Sequence, residues 1–331
     1  MTTKELTSLE ELFGKQISRS DAINQLKKSP KAYEKFQNFP PDFQQQILEF
    51  IQGIRGLPIL YDSFFKSILD PYTTPERLER FLSCLLEQNI RIKGVLTREG
   101  TQLVEKGSLV IMDILAETED GSLINVEMQK HGYDFTGERS TCYMSDLIMR
   151  QYNRVKSERQ EKFSFKDMKS VYLIVLMEHS STNFKTVAPF YIHRSIHSLD
   201  SGANINFLTN YIYISLDTFH SVSQTIDSYL DAWFTFLSSD SPNDILHLIQ
   251  NYPEFREYYH DIALFRTKPE ELINMYSEAL LQMDRNTVNY MIEDMKKELS
   301  EKDNIIAEKD NTIAEKDARI AELEALLKQQ N

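Results

Sequence analysis

Asp113 and Glu127 stand on either side of the tripeptide Glu119-Asp120-Gly121, inside the segment LVIMDILAETEDGSLINVEMQ (residues 109–129). Apolar, β-rich runs flanking an Asp-Gly turn predict a hairpin. A three-residue loop ending in a left-handed glycine places Asp113 opposite Glu127. Side chains alternate along strands, so Val110, Met112, Ile114 and Ala116 share a face with Ile124, Val126 and Met128. Asp113, Asn125, Glu127 and Gln129 then occupy the other face. A slip of one residue would separate the two acids. Carboxylates about 4 Å apart repel by roughly 4 kcal/mol at an effective dielectric of 20, and a divalent cation relieves that repulsion. Hard oxygen donors suit Mg²⁺ or Mn²⁺ rather than zinc. An acid followed one strand later by acid-x-Gln is an arrangement for metal-dependent phosphodiester hydrolysis. The same residues also fit an amphipathic surface hairpin whose acids are solvated.

Asp113, then Glu127-Met128-Gln129, then Arg139 and Tyr143 resemble the PD-(D/E)XK nuclease superfamily. More narrowly, they resemble its Rpn-type branch of recombination-promoting nucleases and transposase-like proteins. That branch has Gln where the wider pattern has Lys, so Gln129 fits the branch and departs from the superfamily motif. The resemblance extends over roughly residues 39–295. It implies a Mg²⁺- or Mn²⁺-dependent DNA endonuclease. Asp113 and Glu127 would bind the metal, and Gln129 would complete the catalytic set by orienting water or phosphate. Asp62-Ser63-Phe64-Phe65-Lys66 resembles the family's opening signature. By that resemblance Asp62 is a third metal ligand; the alternative is a helix N-cap. Lys66 is either a phosphate contact or a solvated helix residue. Arg139 and Tyr143 are substrate-binding candidates, Arg139 through bidentate hydrogen bonds to phosphate, or else tethers between helix and sheet.

These side chains need a scaffold, and the expected one is α/β: a restriction-endonuclease-like mixed sheet flanked by helices. Residues 171–177 (VYLIVLM) and 211–216 (YIYISL) read as strands, the first covered on both faces. Residues 90–96 and 102–105 are short strand candidates, and Lys106 is a turn lysine or a phosphate contact. After Gln129 a helix is expected. Met144, Leu147, Ile148, Tyr152 and Val155 form its buried stripe, with Arg139, Tyr143 and Arg150 toward another face. Residues 156–169 read as a polar surface loop. Upstream, Ser29-Pro30 marks a helix start. Phe39-Pro40-Pro41 breaks that helix, Asp42 is a cap candidate for the next, and Gly53 and Gly56 end it. Phe64, Phe65, Ile68 and Leu69 give a further helix an apolar face, and Thr74-Pro75 opens another. Trp233 sits among aromatics at core spacing. His193 and His197 have the spacing of a helical metal pair, but ordinary polar positions are expected for want of a third ligand.

Four regions follow: a helical extension (1–53), the nuclease-like core (54–225), a C-terminal helical region (226–298) and a heptad-repeat helix (299–331). In the last, Ile306, Ile313, Ile320 and Leu327 form one seam position. The partner position holds Lys309 and Lys316 before Leu323. A weak, homodimeric coiled coil and a solvated single helix both fit this half-apolar seam.

The chain has 331 residues, 41% of them hydrophobic, enough for a substantial core. A net charge of −13 counts against a broad nonspecific DNA-binding surface. Cys84 and Cys142 lack metal-type spacing. No apolar run reaches the ~18 residues of a membrane span, and the first residues lack a signal peptide's apolar stretch. A cytoplasmic protein with no membrane partner is expected. Besides the endonuclease, the residues admit a catalytically weak DNA-binding or regulatory protein that dimerises through its tail, and an assembly protein in which the tail does the work.

Overall fold

The turn at Glu119-Asp120-Gly121 organises the sheet. Gly121 has φ 88°, and its N–H donates to the Thr118 carbonyl at 2.9 Å. The loop is the three-residue type with a left-handed glycine. Strand β2 (Ile114–Thr118) therefore pairs antiparallel with β3 (Leu123–His131), Ile114 opposite Val126 and Ala116 opposite Ile124. Continuing that register sets Asp113 against Glu127, as the sequence predicts. In this computed structural model the described residues are 8–277 apart from 58, 61, 97–112, 133–134 and 224, with Lys309 and Lys316. Val110, Met112, Lys106, the strand candidate at 102–105 and the side chain of Asp62 lie outside them, as does the heptad helix apart from those two lysines.

Six strands form one mixed sheet in the order β1-β2-β3-β4-β6-β5. Strand β1 (Ile92–Val95) pairs antiparallel with β2. Strands β3, β4 (Val171–His179) and β6 (Thr209–Ser215) run parallel, and the short β5 (Ile192–Arg194) closes the edge antiparallel to β6. The apolar run 171–177 lies in the middle of the sheet, covered on both faces as such runs require.

Helices supply both covers. N-terminal to the sheet, the described helices are α1 (Glu10–Phe13), α2 (Arg19–Lys27), α3 (Pro30–Gln37), α4 (Pro41–Gln52), α5 (Asp62–Ile68) and α6 (Pro75–Leu86). Ser29 and Thr74 are N-caps followed by proline at the first helical position. Asp42 is not a cap: Pro40 holds that place, and Asp42 lies in the first turn of α4. Gly53 ends α4 in the left-handed conformation, φ 81°. After β3 comes the long α7 (Gly137–Arg159), capped by Thr136, whose side chain accepts from the Arg139 N–H. This helix runs four residues into the expected loop and is followed by two 3₁₀ turns, where Phe163 and Phe165 gather with Tyr152.

The short helices α8 (Thr182–Lys185) and α9 (Leu216–Val222) follow β4 and β6. Beyond them α10 (Tyr229–Ser238), α11 (Pro242–Asn251) and α12 (Phe255–Thr267) build an aromatic core. Its centre is the fully buried Trp233, 5.0 Å from Phe255 and 5.6 Å from both Phe81 and Tyr258, centroid to centroid. His193 is on strand β5, not a helix, so its spacing to His197 brings no ring pair onto one helical face. His197 instead meets the Thr209 carbonyl at 2.7 Å. Residues Met1–Ala279 form one compact unit and Leu280–Asn331 a second. Among the described residues, no helix is long and apolar enough to cross a membrane.

Candidate active site

Both faces of the hairpin are core, so the acids are not on a solvated surface. The face bearing Asp113, Leu115, Asn125 and Glu127 lies under α7. Leu115 and Leu123 pack there with Tyr143, Met144 and Leu147 of that helix and with Leu173, Val175 and Met177 of β4. Glu127 is 1% exposed. Tyr143 does not lie on the separate face expected for it. Because the helix lies flat on the sheet, Tyr143 joins the buried stripe, its ring 5.0 Å from Phe135.

The two acids hold each other through the ladder. The Asp113 backbone N–H donates to Glu127 Oε1 at 3.1 Å, and the Met128 N–H donates to Asp113 Oδ2 at 2.8 Å. Asn125, two residues before Glu127 on the same face, donates from Nδ2 to Glu127 Oε1 at 2.8 Å. Its own Oδ1 is buried with no hydrogen-bond partner among the described residues. Burial first, and the charge of Asp113 second, push the Glu127 carboxyl well above the usual carboxylate range. Donation from Asn125 and from the Asp113 backbone, and the charge of Arg139, act the other way.

Cations approach from two helices. Lys66 on α5 reaches Asp113 Oδ1 with Nζ at 3.0 Å, and both side chains are largely shielded, 13% and 12% exposed. Arg139, in the first turn of α7, donates from Nη2 to the Tyr143 hydroxyl at 3.1 Å. Its guanidinium lies 4.8 Å from the Phe135 ring centroid. Burial, then the Glu127 charge, push the Tyr143 phenol up to about 12. Gln129 is half-buried and follows Glu127 on the same strand face, level with Met177 of β4. Asp62 opens α5. Asp113, Glu127, Lys66, Arg139 and Tyr143 thus converge, whereas Arg150 is turned along α7 into an ion pair with Asp146 at 2.7 Å.

The far end of α7 does mechanical work that local sequence does not signal. Gln151, fully buried, donates to the Gly121 carbonyl at 3.1 Å and accepts from the Lys169 N–H at 3.0 Å. Arg154 pairs with Glu117 on the same strand face as Asp113. One helix therefore grips the hairpin turn with its C-terminal half and faces the acid pair with its N-terminal half. The pairings span 30 and 37 residues, beyond the reach of periodicity or capping rules.

Two buried carboxylates that repel, one kept from ionising freely, form a donor set that a hard divalent cation fits. No group of three or more His, Cys, Asp or Glu side chains converges among the described residues. Two acids among the described residues could then serve as ligands, with water or substrate oxygen filling the rest of the shell, which is usual for Mg²⁺. No curated protein and no solved structure matches the chain. The model of the PD-(D/E)XK nuclease family transposases matches residues 60–291, which include both acids, both helices that bring cations to them and the whole sheet; the chain belongs to that family.

Proposed function

We propose that this member of a nuclease and transposase family is a divalent-metal-dependent DNA endonuclease centred on Asp113 and Glu127. The observation that carries the proposal is the cross-strand carboxylate pair, buried under α7 with Glu127 pushed toward its protonated form. A fold tolerates such a pair when a ligand repays its cost. Asp113 and Glu127 would hold Mg²⁺ or Mn²⁺, with Asp62 as a third candidate ligand. Bound there, the ion supplies a water of lowered pKa and charge neutralisation at the phosphate.

The chain's own groups complete the reaction, in which one P–O bond to water forms and one P–O bond of the backbone breaks. Gln129 would orient the water or a phosphate oxygen by hydrogen bonding, without adding charge. Arg139, stacked on Phe135 and bonded to Tyr143, has little freedom left and is pre-organised to meet a phosphate. Tyr143 serves by holding Arg139. Lys66 adds positive charge beside Asp113. Two cations at the site, Lys66 and Arg139, are compatible with a chain of net charge −13, since a local field can differ in sign from the net charge. We further propose that the heptad repeat at 299–331 pairs two copies of the chain. Plasmid cleavage that needs Mg²⁺ and disappears in Asp113→Ala/Glu127→Ala tests the catalytic proposal.

A further inference from the structure

Lys66 brings its charge to Asp113 from an element far away in sequence. It lies on a short helix 47 residues upstream of Asp113, yet its ammonium meets that carboxylate at 3.0 Å. The contact is not a chance surface encounter. Phe64, Phe65, Ile68 and Leu69 are all buried, and Phe64 packs 5.1 Å from Phe265 and 6.1 Å from Tyr276. Those anchors fix α5, and with it the direction Lys66 takes. Shielding of both side chains makes the pair strong in the way exposed pairs are not. At the neighbouring position on the Glu127 strand face the chain has Gln129, a neutral amide.

We propose that Lys66 is the built-in cation of the acid pair: it steadies Asp113, carries from α5 the positive charge that residue 129 does not supply, and competes with the divalent ion for the same carboxylate. The inference rests on the metal-dependent reading above. It has a signature that a merely structural lysine lacks. A divalent ion on Asp113 would sit close to the ammonium, so the two like charges oppose each other. Removing the lysine charge should tighten metal binding while slowing cleavage. Structural damage would weaken both.

The test uses the full chain, stripped of metal, as wild type, Lys66→Met, Lys66→Gln, Lys66→Arg, Lys66→Met/Gln129→Lys and Asp113→Ala/Glu127→Ala. MnCl₂ binding is measured by calorimetry, and supercoiled-plasmid cleavage at saturating Mn²⁺. Lys66→Met should bind Mn²⁺ about tenfold more tightly or better and cleave about 100-fold more slowly. Lys66→Gln, which keeps a hydrogen-bond donor for Asp113, carries the same expectation and guards against a folding defect in Lys66→Met. Lys66→Arg should bind Mn²⁺ as wild type does. Lys66→Met/Gln129→Lys should recover part of the lost cleavage, because a positive charge is then supplied from the strand face of Glu127 in place of α5. Unchanged or weaker Mn²⁺ binding in both Lys66→Met and Lys66→Gln overturns the inference, and leaves the metal site standing if wild type binds Mn²⁺ and the double-alanine variant does not. Mn²⁺ binding that survives in the double-alanine variant removes the metal site, and the inference with it. Should wild type cleave nothing, the calorimetric arm still decides the role of Lys66.

Discussion

The backbone amide of Asp113 donates to Glu127 Oε1 at 3.1 Å, while Asp113 Oδ2 accepts from the amide that follows Glu127, at 2.8 Å. Each acid is therefore positioned by the other's strand, and neither can move without the ladder.

This pairing makes a prediction about pH. Glu127 has its folded-state pKa raised, by burial and by Asp113. Folded protein then holds a proton that unfolded protein releases near the ordinary carboxylate value of about 4.3. Stability of the metal-free chain falls as pH climbs from there through the raised folded value. In EDTA at pH 8, Glu127→Gln should melt about 2–4 °C above wild type, equivalent to roughly 1 kcal/mol, and the gap should close near pH 4. Differential scanning calorimetry at both pH values checks this. A variant less stable than wild type at pH 8 would mean that the acid pair is not under strain.

Arg139 separates catalysis from stability. Its stacking on Phe135 and bond to Tyr143 are together worth about 1 kcal/mol. Arg139→Ala should therefore cost about that much in urea denaturation, yet slow plasmid cleavage by about 100-fold. Tyr143→Phe, which keeps the ring and removes only the hydroxyl that Arg139 meets, should slow cleavage by less. Equal losses in the two variants would place the function in the phenol and not in the guanidinium.

Gln151 tests the mechanical half of α7. Gln151→Ala strands the Gly121 carbonyl and the Lys169 N–H, both met by the buried amide. The expected destabilisation is about 2 kcal/mol, read as a lower urea midpoint. Hydrogen exchange should quicken first in residues 118–123. No change in midpoint would mean that the turn holds itself.

How much of this was legible in the sequence follows from range. The register of the acid pair depends on one tripeptide and a period of two, both local, and the turn chemistry of Gly121 settled it. The central strand at 171–177 and the starts at Pro30 and Pro75 were likewise local. The burial of Tyr143 was not, because it requires knowing that the second hairpin face is also covered. A helical wheel for α7 drawn alone places Tyr143 beside Arg139. The contact of Lys66 with Asp113 and the clasp of Gln151 on Gly121 bridge elements that no spacing rule connects. His193 and His197 show the converse: four residues apart means one face only on a helix, and His193 is on a strand.

The heptad repeat carries its own test. If residues 299–331 join two copies, deleting them should halve the solution mass measured by light scattering. The half-apolar seam, with Lys309 and Lys316 between isoleucines, predicts a weak pair whose mass falls on dilution even in the intact chain. An unchanged mass after deletion assigns the repeat no part in pairing.

The most direct measurement is cleavage of supercoiled plasmid by wild type and Asp113→Ala/Glu127→Ala at equal concentration, with Mg²⁺ and with EDTA. The acid-pair account predicts nicked or linear product from wild type with Mg²⁺, none with EDTA, and none from the variant under either condition. Equal cleavage by wild type and variant would contradict it, as would inactivity of both across Mg²⁺ and Mn²⁺ concentrations at which calorimetry shows the wild-type site to be filled.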